Sequence, residues 1–179
     1  ADPSIFNVFD IALTSGISQN ALVNPNTAII SKNTARRYFG TTDVLGKTFK
    51  IDDDKQIEIT GVYDDLPVNS TLDANIYVSF ATSFFSKRPT WGNASLETYL
   101  LTSDGAQGPV IESKMKEMLD KNVEPDGQWY TLKAQPFNEV HLYSAGIQNG
   151  YSSRKGSIDQ VKSLTWLALL ILVIACINY

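Results

Sequence analysis

Between Thr27 and Pro67 the spacing of apolar residues changes period, and the change dictates a strand, a helix and a hairpin in fixed order. Thr27 to Ile30 is a short apolar run that predicts a strand. Ser31 follows it, where its hydroxyl can accept a hydrogen bond from a free amide of a first helical turn. Ala35, Tyr38 and Phe39 share one helical face. Arg36 and Arg37 lie near the helix end, where cations offset the dipole, and Gly40 supplies the left-handed residue that stops it. After a turn at Asp43 to Gly46 the period becomes two: Phe49 and Ile51 point one way, Thr48 and Lys50 the other. Asp52 to Lys55 is polar enough to be a turn. Ile57, Ile59 and Tyr63 then alternate with Glu58 and Thr60, so the two runs should close as a hairpin. Gly61 falls on the apolar face, which marks either a bulge or a close backbone approach.

This order of pieces resembles a known family. AIISKNTARRYFG, followed by DVLGKTFKI and ITGVYDDLP, is similar to the extracytoplasmic core domain of MacB-like, or FtsX-like, ABC transporter permeases. That family's pattern is a strand, a helix ending in Phe-Gly, a D-x-x-G-K turn and a strand ending in V-x-G-V; Ile59 here takes the first valine's place. ADPSIFNVFDIAL at the start, LPVNSTL after the hairpin, EVHLYS at Glu139 to Ser144 and the terminal IACINY also look like stations of it. The resemblance implies a non-catalytic domain outside the bacterial inner membrane, facing the periplasm, with a strand and a first transmembrane helix upstream of Ala1. It further implies a cytoplasmic ATP-binding subunit or domain as partner, a homodimer or paired permease, and, in the exporter branch, a periplasmic adaptor. Other branches handle lipoproteins or peptides or relay a signal.

The remaining segments predict an α+β (mixed α/β) domain. Asp2 can cap a helix with Pro3 in its first turn, and Phe6 and Phe9 sit on one face of it. Ile11 to Thr14 turns extended before Gly16, and Asn20 to Asn26 is a loop or a single helical turn. Ile76, Val78 and Phe80 suggest a strand that runs into a short helix near Ala81 to Phe85. Glu97 to Thr102 reads as a strand, Asp104 to Leu119 as an amphipathic helix over a sheet, with Ile111, Met115 and Met118 inward and Glu112 paired with Lys116. Trp129 to Ala134 and Phe137 to Tyr143 read as further extended runs.

Chemistry is thin. With 15 basic against 19 acidic residues and a net charge of −4, nothing favours a nucleic acid partner. A single cysteine, Cys176, excludes an internal disulfide framework and a cysteine-rich zinc site. Gly46-Lys47-Thr48 mimics the end of a phosphate loop, but Thr41 stands where the opening glycine is required and a strand follows instead of a helix. His141 is the only histidine, set among apolar neighbours, and its ordinary role there is structural. Asp52, Asp53 and Asp54, with Asp64 and Asp65, lack the alternating spacing and closing glutamate of a calcium loop. Neither a cofactor, a metal nor a catalytic residue is expected. Asn69-Ser70-Thr71 and Asn93-Ala94-Ser95 match a glycosylation acceptor, which has meaning only in a eukaryotic secretory pathway.

Two stretches bear on interaction. Phe84, Phe85, Lys87, Arg88 and Trp91 combine aromatic and basic side chains around a loop, a composition that marks a partner contact, although such rings more commonly cover the edge of a small core. Tyr143 to Ser157 is a glycine-rich polar linker, with Gly146, Gly150, Gly156, Ser152, Ser153, Arg154 and Lys155. Leu164 to Tyr179 then is apolar on every side of any helix drawn through it and reads as the start of a membrane span, with Leu164, Trp166, Leu170, Ile174 and Tyr179 along it. Arg154, Lys155 and Lys162 precede it on the external side, where the positive-inside rule prefers few cations. The expected division is an extracytoplasmic domain over residues 1–157, of one or two subdomains, and a transmembrane helix beginning in 158–179. A membrane-anchored binding or signalling module is the alternative to a permease.

Overall fold

The strand that orders the sheet is β4 (Lys55–Tyr63), because its two edges carry three partners. β2 (Thr27–Ser31) lies along one edge in parallel, while β3 (Thr48–Ile51) and β1 (Leu13–Gly16) share the other edge in succession, both antiparallel. β5 (Ile76–Val78) closes the far side, antiparallel to β2, giving the order β1-β4-β2-β5 with β3 beside the first half of β4. A computed structural model of the chain describes residues 1–52, 54–93, 96–103, 105–147 and 155–178. Asp53, Ala94, Ser95, Asp104, Gly150, Ser152, Ser153, Arg154 and Tyr179, which carried expectations above, lie outside the described residues.

All five residues of β2 are buried, so the sheet is covered on both faces at its centre. On one face Ile30, Ala35, Val44, Ile59 and Val62 pack together, flanked by Phe39, Phe49 and Ile76. On the other, Ile11, Ala21, Leu22, Ile29 and Tyr63 pack with Phe6, Phe9, Leu13 and Tyr77 among others. The first face is roofed by α2 (Lys32–Phe39), which begins and ends as its residues dictate. Ser31 Oγ accepts the Thr34 amide at 3.2 Å, Arg36 and Arg37 fall in the last turn, and Gly40 takes φ 73°. Asp64 and Asp65 are tied to the start of the same helix: Lys32 Nζ is 2.6 Å from Asp64 Oδ1, and the Asn33 amide donates to Asp65 Oδ1 at 3.2 Å.

A bulge reverses one face assignment. Strict alternation puts Ile59, Gly61 and Tyr63 on one side, yet Ile59 packs with Ile30 and Tyr63 with Ile29 on the opposite face. The register against β2 slips between Ala28, which faces Ile59, and Ile29, which faces Gly61, so Thr60 is an extra residue in β4. Its hydroxyl donates to Ala28 O at 3.2 Å. Gly61 also makes the close approach: a Cβ there would stand 2.9 Å from Ile29 Cγ2 and 3.1 Å from Leu13 Cδ1. Tyr38, expected beside Ala35, is instead exposed under the Arg37 guanidinium.

The N-terminal helix is short, α1 (Ile5–Val8), with Asp2 Oδ1 accepting the Ser4 amide ahead of it. α3 (Phe84–Lys87) follows β5 and a 3-10 turn at Phe80–Thr82. α4 (Gly108–Asn122) starts later than expected, with Pro109 in its first turn, and contributes no residue to either core cluster. Leu119 is its buried position and Met118 is exposed, so the inward face runs Ile111, Met115, Leu119. Lys116 pairs with Asp120 at 2.6 Å, not with Glu112, whose carboxylate instead accepts the Ala134 amide at 3.1 Å. That bond ties α4 to the segment after it.

Three extended expectations fail. Residues 97–102 and 129–134 form no strand, and Phe137 to Tyr143 is helical, a 3-10 turn at Phe137–Glu139 running into α5 (Val140–Tyr143). Side chains anchor the first and third segments where a ladder was expected. Phe9, Tyr99 and Phe137 meet pairwise with ring centroids 5.0, 5.5 and 5.9 Å apart, joining the start of the chain, residues 96–103 and the turn before α5. Burial, with the Glu97 carboxylate beside it, pushes the Tyr99 hydroxyl up to about 12. The chain's last described element is α6 (Ile158–Asn178).

Candidate interaction loop and membrane helix

The aromatic and basic residues of the loop are built around α3, whose N-terminus is capped by Ser83 Oγ accepting the Phe85 amide at 3.2 Å. Phe84 is exposed while Phe85 is half-buried, and their rings meet edge to face at 6.1 Å. The Arg88 guanidinium lies 5.5 Å over the Phe84 ring, a cation–π contact that keeps both side chains at the surface. Lys87 is exposed beside them. Trp91 stands apart from this stack and is held through its main chain, where Tyr130 Oη donates to Trp91 O at 2.8 Å. Trp129, exposed, meets the Tyr130 ring edge to face at 5.0 Å. The bond brings Trp129 and Tyr130 to the loop although they lie about forty positions along; the adjacent pair of aromatic residues after the Pro125–Gly127 turn was their signal in the sequence.

α6 has 21 residues, with an 18-residue stretch of mean hydropathy 2.1, none of which is buried against the other described residues. At a rise of about 1.5 Å per residue it is about 31 Å long, the thickness of a hydrocarbon layer. It is long and apolar enough to cross a membrane. Leu164, Trp166, Leu170 and Ile174 are all about half exposed or more, at 65, 72, 56 and 49%. The helix begins six residues before Leu164, taking in Asp159 and Lys162.

The residues weighed for chemistry are committed elsewhere. The Gly46 and Lys47 amides, which a phosphate loop would leave free, donate to Ile59 O at 2.9 Å and Val44 O at 3.0 Å, and the Lys47 ammonium sits 5.7 Å from the Phe39 ring centre. β3 follows directly, where a phosphate loop needs a helix. His141 is exposed on α5, not set among apolar neighbours in a strand. Among the described residues, no three His, Cys, Asp or Glu side chains come together as metal ligands.

These features define an α+β domain whose elements are organised by a mixed sheet and which continues into an uncovered apolar helix. A family model of MacB-like periplasmic core domains matches residues 1–118, and the chain belongs to that family. Among solved structures, a domain assigned to a permease protein from Porphyromonas gingivalis is 26% identical with a TM-score of 0.57, over 69% of this chain and 53% of that one. The periplasmic region of MacB from Actinobacillus actinomycetemcomitans is 16% identical with a TM-score of 0.44, over 67% of this chain and 53% of that one. The chain thus spans about half the length of the solved structures it matches. No curated protein matches it significantly.

Proposed function

We propose that this chain is the non-catalytic periplasmic domain of an ABC transporter permease, residues 1–157 forming the domain and 158–179 beginning a transmembrane helix of the bacterial inner membrane. The observation that carries the reading is that one chain holds both a match to the MacB-like periplasmic family over residues 1–118 and, farther on at Ile158–Asn178, a 21-residue helix whose apolar stretch is not buried against the described residues. The domain neither binds nor hydrolyses ATP, because the main-chain amides of its one phosphate-loop-like turn are already bonded. A cytoplasmic ATP-binding subunit or domain supplies the energy, which reaches the domain as movement of α6. The permease works as a homodimer or paired permease, and the loop at Phe84, Phe85, Lys87, Arg88 and Trp91 is the surface offered to a second periplasmic protein such as an adaptor.

The test is made on the full-length permease with its ATP-hydrolysing partner in lipid nanodiscs, carrying Cys176→Ser and a fluorophore at Lys50→Cys. Energy transfer to a lipid dye should change between the nucleotide-free and vanadate-trapped states. If no ATP-hydrolysing protein associates and the signal stays constant, the chain is a membrane-anchored binding or signalling module.

A further inference from the structure

We infer that the turn formed by α5 and the residues after it, 140–147, is a foot that rests in the headgroup layer of the membrane that α6 enters. The inference depends on the reading of α6 as a span. Its placement rests on two hydrogen bonds that clasp this turn to Lys155 and Gly156, immediately before α6. The Gly156 amide donates to His141 O at 2.8 Å, and Lys155 Nζ donates to Ile147 O at 2.9 Å. The clasp is tight. A Cβ on Gly156 would stand 3.1 Å from both His141 Nε2 and Leu142 Cδ2, so the main chain leading into α6 lies directly on α5. Wherever the first turn of α6 sits relative to the bilayer, α5 sits at nearly the same depth.

That depth follows from the helix. Lys162 is the last charge before the uncharged, mostly apolar run that starts at Leu164, so the hydrocarbon boundary falls near those residues. From Leu164 back to Ile158 is six residues, about 9 Å of helix, against a headgroup layer of about 5 to 8 Å on each side of the hydrocarbon. The α6 start is thereby held at the outer margin of the headgroups, with the clasp at Lys155 and Gly156 immediately before it. Tyr143 and Ile147 are each about half exposed there, at 55% and 52%. A tyrosine has an apolar ring and a polar tip and settles at such a boundary, as does Trp166, 72% exposed just inside the apolar run. Lys162 places a cation at the level of the lipid phosphates. The occupant of the exposed Tyr143 and Ile147 surface is therefore phospholipid, because the covalent and hydrogen-bonded continuity with α6 brings lipid to it without any further partner.

The test uses the full-length chain in vesicles of phosphatidylethanolamine and phosphatidylglycerol, in a Cys176→Ser background, with an environment-sensitive fluorophore at Tyr143→Cys, Ile147→Cys, Leu170→Cys or Lys50→Cys in turn. Lipids carrying a nitroxide near the headgroup should quench positions 143 and 147 at least twofold more than position 50. Lipids with the nitroxide deep in the acyl chain should quench position 170. Quenching at 170 with positions 143 and 147 no different from 50 overturns the foot while the span stands. Blue-shifted emission at 143 or 147 that the shallow nitroxide does not quench means a protein surface covers the turn, which also overturns it. No quenching at 170 by either lipid removes the span and the foot with it.

Discussion

Gly16 and Gly61 face each other across β1 and β4 so closely that a Cβ on Gly16 would stand 2.9 Å from Gly61 Cα and 2.4 Å from Thr60 O. Gly16 also holds φ at +95°, a region that side-chain-bearing residues rarely adopt. Gly16 and Gly61 are register partners two residues from the irregularity in the β1–β4 ladder between Leu13 and Ser15, and the paired strands approach there without side chains between them. Gly16→Ala should therefore cost at least about 2 kcal/mol, whereas Gly105→Ala, with positive φ but open space around it, should cost about 1 kcal/mol. Urea titrations of the two variants check this, and equal losses would mean that the close approach relaxes freely.

The hairpin offers a sharper comparison. Ile59 is fully buried against Ile30, Val44 and Val62, while the neighbouring Glu58 side chain is exposed. Truncating Ile59 to alanine should cost about 2 to 5 kcal/mol, through lost contacts and the cavity left behind, against at most about 0.5 kcal/mol for Glu58→Ala. A similar loss for both variants in urea would contradict the burial assigned to this strand.

Where local chemistry fixes the backbone, the elements could be read from the residues alone. Ser31, Gly40 and the alternation from Thr48 to Ile59 set a cap, a stop and a hairpin without help from distant contacts. Long-range geometry was less legible. The alternation of Trp129 to Ala134 satisfies a strand template, yet no partner strand lies beside it, and an extended run without a ladder remains coil. Phe137 falls in a run that reads as extended, but what it does is meet Tyr99 and also Phe9, more than a hundred positions away, a contact that periodicity does not encode. The candidate loop draws on residues both near and far in sequence. Phe84, Arg88 and Trp91 are neighbours in sequence, whereas Tyr130 joins them only through one hydrogen bond to Trp91 O.

Alkali should unfold the domain through its tyrosines. Burial raises the hydroxyls of Tyr63, Tyr77 and Tyr99 above the ordinary value of 10.0, Tyr99 to about 12. A raised tyrosine keeps its proton in the folded state after the unfolded chain has lost it, so the unfolded state binds fewer protons in this window and stability falls as pH rises. The contribution is complete below pH 10 and is lost progressively as pH climbs toward 12. Melting temperatures should decline over that interval, and Tyr99→Phe, which cannot ionise, should lessen the decline. An unchanged slope in Tyr99→Phe would show that the hydroxyl is not shielded as its packing against Phe9 and Phe137 implies. Tyr63→Phe tests a different term, since Tyr63 Oη donates to Ala74 O at 2.6 Å; its removal should also cost about 1 kcal/mol at neutral pH.

Removing α6 should leave the domain intact. Leu164, Leu167, Leu169, Leu170, Ile171, Leu172, Val173, Ile174 and Ile177 each favour a bilayer centre by about 0.3 to 0.6 kcal/mol, together about 3 to 5 kcal/mol toward insertion. In water those same side chains are a liability, since the helix has no polar face and no residue of it is buried. Both core clusters draw their residues from positions up to Tyr77, so ending the chain after Ser157 removes no core contact. The shortened chain should keep its melting temperature within a few degrees and become more soluble. Should it unfold, or lose the hairpin's protection from hydrogen exchange, α6 would be part of a soluble core, and the proposal of a domain mounted on a membrane helix would lose its physical support.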